Sequence, residues 1–92
     1  MVSKQKVEKY LNLTEKALKK VKIKIPSKVD LSKVAEDYLD LAKRYFSDAK
    51  YFKSKGELTN AFTAVVYAHG FLDAGVRLGV FDVKDSKLFM VD

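Results

Sequence analysis

The stretch GELTNAFTAVVYAHGFLDAGVRLG, Gly56 to Gly79, decides the fold. Its only formal charges are Glu57, Asp73 and Arg77, and it holds His69, the sole histidine, together with all four glycines of the chain. At helical spacing Leu58, Ala61, Phe62, Val65, Ala68, His69, Leu72, Val76 and Gly79 gather on one side, which predicts a helix over about 57–78. A helix this apolar is expected to be the most buried element of a small bundle, with His69 directed inward. Glycine in a helix interior costs about 1 kcal/mol relative to alanine, so Gly70 and Gly75 each require a reason, and a crowded backbone contact supplies one. The opposite side carries Thr63, Tyr67, Gly70 and Ala74, with Phe71 and Leu78 further round. That surface is too apolar to leave in water, so something is expected to cover part of it.

Working upstream, Leu31, Val34, Ala35, Tyr38, Leu41, Ala42, Tyr45, Phe46, Ala49 and Phe52 form the cleanest stripe in the chain and predict a helix over 31–54. Asp30, or else Ser27, can cap its start. Gly56 after Lys53-Ser54-Lys55 suits the left-handed position that ends a helix. A further stripe of Val7, Tyr10, Leu11, Ala17, Leu18 and Val21, with Thr14 filling the gap, predicts a first helix over 3–22 capped by Ser3. Ile25 before Pro26 is pushed towards extended geometry, which closes it. The short connection that follows makes the first two helices antiparallel neighbours. Downstream, Val80-Phe81-Asp82-Val83 and Leu88-Phe89-Met90-Val91 are too apolar for a disordered end. They predict a non-helical tail over 80–92, turning at Lys84-Asp85-Ser86-Lys87 and folded back on the bundle. The expected architecture is therefore all-α: one domain spanning 1–92, a three-helix up-down-up bundle with an apolar tail packed on it.

The charge is unevenly placed. Residues 1–28 carry nine lysines against Glu8 and Glu15, a net +7, and the remainder is close to neutral, within a total of +6. The Lys/Glu-rich composition, poor in Asn, Gln and Cys, has a thermophile-like cast. With no cysteine there is no disulfide, no thiolate zinc site and no thiol nucleophile. No run of apolar residues approaches a membrane span, and the first residues do not read as a signal peptide, so a cytoplasmic location is expected.

His69, Asp73 and Arg77 fall at i, i+4, i+8 and form a ladder along one helix face. A carboxylate beside a histidine can orient it as a general base, but no serine or cysteine nucleophile accompanies the pair. The plainer reading is a buried polar ladder serving structure, and no catalytic, metal or cofactor-binding set is expected. Lys9, Lys16, Lys19 and Lys20 on the first helix could contact phosphates, although arginine and stacking aromatics are lacking there. A membrane-surface role ranks lower, because the bundle needs that helix's apolar face. Tyr38, Tyr45, Phe46, Phe52, Phe62 and Tyr67 recur at helical spacing and read as an aromatic core. Tyr51 falls off its stripe; with Thr63, Tyr67, Gly70, Phe71 and Ala74 it outlines a candidate interaction surface.

One resemblance rests on particular residues. Asp48-Ala49-Lys50-Tyr51-Phe52, Lys55-Gly56, Ala61-Phe62, Tyr67-Ala68-His69-Gly70 with Leu72-Asp73-Ala74-Gly75, and Gly79-Val80-Phe81 together resemble an archaeal family of short proteins known as domain of unknown function 357. The resemblance implies a cytoplasmic archaeal three-helix protein and brings no activity, substrate, cofactor or site residue with it. Lys55-Gly56-Glu57 followed by Ala61-Phe62 and Tyr67-Ala68 is also similar to helical-hairpin adaptor modules, though no second repeat follows. Three functions are carried forward. The first is a non-enzymatic module for protein–protein interaction or self-association, as in a homodimer. The second is nucleic-acid binding by the first helix, and the third an acid–base enzyme using His69 and Asp73. No small-molecule substrate and no membrane partner is inferred.

Overall fold

The computed structural model describes residues 2–84 and 87–89. Among them are three helices: α1 (Lys4–Lys20), α2 (Leu31–Ser54) and α3 (Leu58–Leu78). The class is all-α, as the periodicities predict, and the chain beyond α3 is non-helical where described. Met90, Val91 and the two central residues of the expected turn, Asp85 and Ser86, lie outside the described residues.

Local chemistry sets the helix ends. Ser3 Oγ accepts from Lys6 N at 3.1 Å and Asp30 Oδ1 from Lys33 N at 3.2 Å, so each side chain satisfies one of the unpaired first-turn amides. Asp30, rather than Ser27, is the cap of α2. Both α2 and α3 end in the same way. Gly56 (φ 75°) and Gly79 (φ 87°) turn left-handed, and the next residue donates back to the helix: Glu57 N to Phe52 O at 2.9 Å, Val80 N to Gly75 O at 3.0 Å. The first of these reversals joins α2 to α3 through only Lys55, Gly56 and Glu57.

The two helices form an antiparallel hairpin whose seam is made of small residues. Ala42 and Ala49 of α2 and Ala64, Ala68 and Gly75 of α3 are its buried residues. On α2 the seam reads Tyr38, Ala42, Tyr45, Ala49, Phe52; on α3 it reads Ala61, Ala64, Ala68, Phe71, Gly75. Both follow the alternating three- and four-residue spacing of knobs-into-holes packing. Rings bracket the alanines: Tyr45 meets Tyr67 edge-on at 4.7 Å between centroids, and Phe71 lies 5.7 Å from Tyr38 and 6.1 Å from Tyr45.

This seam corrects the expected inward side of α3. Phe62 stays 69 % exposed and Leu58 67 %, while Ala64 and Phe71 point at α2 instead. Alanines on both helices let the backbones approach closely, so the helices meet along Ala42, Ala49, Ala64 and Ala68, and larger side chains such as Leu58 and Phe62 are left outside. Phe46, expected in the aromatic core, is likewise exposed, with Lys50 Nζ 4.9 Å above its ring.

The tail does return to the hairpin. Phe81 lies on Gly75, where any Cβ would overlap the ring, which accounts for one of the two interior glycines. Around Gly70 there is open space, so crowding does not account for the other.

Helix α1 is the exception to packing. No Cα of α1 comes within 8 Å of one in α2 or α3, and every residue from Val2 to Lys33 is exposed. The expected antiparallel contact between α1 and α2 is absent among the described residues. A ten-residue connection without regular structure, residues 21–30, leads from α1 to α2. The radius of gyration is 15.7 Å, against about 12 Å for a compact chain of this length.

Candidate functional site

The sequence-predicted residues fall into separate places. Tyr67, Gly70, Phe71 and Ala74 come together with Tyr38 and Val66 around a shallow groove of about 300 Å³ on one side of the hairpin. The absent side chain of Gly70 opens it. Tyr67 and Phe71 are anchored from beneath by Tyr45 and Tyr38, so the groove is a wetted edge of the interhelical cluster rather than a free aromatic patch. Thr63 lies in the neighbouring depression of about 340 Å³ with Tyr45, Asp48, Phe52, Asn60, Ala64 and Tyr67. Tyr51 stands apart from both, packed edge-on against Phe52 with Lys55 Nζ 5.6 Å over its ring. The six residues of the expected surface are thus not one patch.

The ladder on α3 is not buried. His69 is half exposed, with 49 % of its side chain accessible; its Nε2 lies 3.5 Å from Asp73 Oδ1 and its ring stacks on Phe89 at 6.0 Å. Asp73 is partly covered and Arg77 is exposed. The cause is the seam, which turns Ala64, Ala68 and Gly75 inward and so rotates His69 out towards the tail. Among the described residues no group of three His, Cys, Asp or Glu side chains could hold a metal ion. No helix among them is long and apolar enough to cross a membrane.

Lys9, Lys16, Lys19 and Lys20 are exposed on α1, and Lys19 sits 3.5 Å from Glu15. The apolar stripe of α1 faces a cleft of about 560 Å³ lined by Val2, Lys6, Val7, Tyr10, Leu11 and Thr14 on one wall and by Thr59, Asn60 and Thr63 of α3 on the other. That second wall is polar; the Thr63 hydroxyl is tied to Thr59 O at 2.9 Å. The apolar stripe of α1 and the outer apolar face of α3, Leu58, Phe62, Val65 and Val66, therefore point to different places, and both remain exposed. The helical spacing assigned the α1 stripe and Leu58, Phe62 and Val65 of α3 to the core. A usable signal lay in the alanine and glycine spacing of α3, which marks the true seam.

No curated protein and no solved structure matches this chain. A family model does, over residues 9–81, which takes in most of α1, both helices of the hairpin and the return of the tail to Phe81. The chain accordingly belongs to the family described as protein of unknown function (DUF357).

Proposed function

We propose that the protein is a non-enzymatic helical module that acts by engaging a protein partner through apolar helix faces. One observation carries this reading. The accessible surface is 8231 Å², whereas a compact monomer of 10.4 kDa exposes about 5,400 Å². The excess includes the stripe of α1 and Leu58, Phe62 and Val66 of α3, large side chains that gain by leaving water. Helix α1 adds a second support. Most helical stability in proteins comes from packing of an amphipathic face, and α1, an amphipathic helix with nothing buried, has little in its own chain to hold it.

Light scattering and sedimentation of the full chain at micromolar concentration test the reading. Association, with itself or with a co-purifying protein, that is lost on Phe62→Asp is the expected result. A strict monomer that binds no protein overturns it.

A second reading, nucleic-acid binding by α1, is favoured by one feature: the helix stands clear of the hairpin, so its lysines are unobstructed. It predicts steep salt dependence and loss of binding in Lys9→Glu combined with Lys16→Glu. Binding unchanged by that pair removes it.

A further inference from the structure

We infer that the occupant of both uncovered faces is a second copy of this chain, each copy laying its α1 across the outer face of the other's α3. The inference rests on the reading of the chain as an interaction module and names its partner.

The geometry supplies the reasons. Within one chain the α1 stripe looks across a wide cleft at Thr59, Asn60 and Thr63, a polar wall that offers it no burial. The apolar part of α3, around Phe62, is turned elsewhere and is equally bare. Each chain thus presents two unmatched apolar helix faces. A second copy supplies the complement of both at once and closes the assembly by twofold symmetry; a foreign partner would have to carry two such surfaces in the right relation.

Lengths and charges agree. The connection over 21–30 is wholly exposed and without regular structure, and ten residues extended reach about 33 Å. That tether leaves α1 free to reach a neighbouring copy without disturbing the hairpin. From Leu58 to Leu72, α3 carries no Asp, Glu, Lys or Arg. Apart from His69, nothing there would attract a charged ligand, and an uncharged stripe matches it.

The area agrees as well. Each chain exposes about 2,800 Å² more than a compact monomer of its mass. Covering half of that excess on two chains gives an interface of about 2,800 Å², within the range of obligate homodimers.

Two measurements on the full-length chain test the inference. Light scattering at micromolar concentration is expected to give twice the 10.4 kDa chain mass. The chain has no cysteine, so a nitroxide can be placed uniquely through Lys9→Cys. Unlabelled spin-carrying chains are then mixed with ¹⁵N-labelled native chains. The expected result is broadening of amides near Phe62 in the labelled chains, which only an α1 from another copy can cause. Phe62→Asp and, on the other face, Leu11→Asp should each weaken the dimer by ~30-fold or more, with helicity of the hairpin retained. A dimer without that broadening, or one unaffected by both substitutions, overturns the exchange. A monomer that binds another protein through Phe62 overturns the inference and leaves the interaction reading standing; a monomer that binds none overturns both.

Discussion

Helices α1 and α2 begin from the same ingredients and end differently. Each has a side-chain cap, Ser3 or Asp30, and each has a one-sided apolar stripe. Yet α2 buries Ala42 and Ala49 against α3, and α1 buries nothing. The difference lies in the grain of the stripe. On α2, rings alternate with alanines; α3 sets Ala64 and Ala68 in the same buried seam and meets the rings with Tyr67 and Phe71. The stripe of α1 has one ring, Tyr10, and one alanine, Ala17, among middle-sized residues such as Val7, Leu11 and Leu18, and no surface of its own chain is cut to receive it. Amphipathicity commits a helix to having a partner; interdigitation of large against small decides which partner it is.

The largest effect of substitution is expected at the seam. Ala68→Leu puts a bulky side chain where the helices touch, at a site 4 % exposed, and should destabilise the hairpin by about 1–3 kcal/mol in urea unfolding. An unchanged midpoint would mean that the alanines do not set the helix separation. Gly75→Ala should come next, costing about 1–2 kcal/mol as the Phe81 ring is forced off. The double variant with Phe81→Ala should lose much less than the two singles added together; simple additivity would show that the ring does not rest there. Asp30→Ala should cost about 1 kcal/mol through loss of the bond to Lys33 N, seen in the same unfolding curves.

Gly70→Ala should do the reverse of its neighbour and stabilise by roughly 0.8–1 kcal/mol, because a methyl group there meets nothing. Two glycines five residues apart in one helix would then respond with opposite sign. The smallest effect is expected on α1. At concentrations low enough to undo association, Leu18→Ala should move the unfolding free energy by no more than about 0.5 kcal/mol. A loss of about 2–5 kcal/mol, usual for a core leucine, would show that α1 packs on its own hairpin.

Much of the architecture was legible because helix limits are written locally. Ser3, Asp30, Gly56 and Gly79 each stand within a residue or two of an observed end, and Ile25-Pro26 sits inside the connection. The inward side of α3 was not legible from bulk hydrophobicity. Leu58, Phe62, Val65 and His69 outweigh the alanines in any count of apolar mass, whereas close approach of backbones rewards the residues with least mass. The need for a reason at Gly75 could be read, but not that Phe81 supplies it, because a contact between a helix and a returning tail has no periodicity. For α1, the stripe is equally consistent with a partner in the same chain or in another. The candidate surface around Tyr67 suffered from the same shift of side: Tyr67 and Phe71 belong to the edge of the seam, and Tyr51 to neither groove.

The connection between α1 and α2 has one more bearing on the life of the chain. Val21, Ile23 and Ile25 alternate with Lys22 and Lys24 ahead of Pro26, and Ile23 is 93 % exposed. A bare alternating run of β-branched residues is the kind of segment that seeds intermolecular sheet. Here each apolar residue is flanked by a lysine, whose like charges repel a stacking neighbour, and the proline denies the ladder a donor. The segment can therefore stay open enough to let α1 travel while resisting fibrillar misassembly.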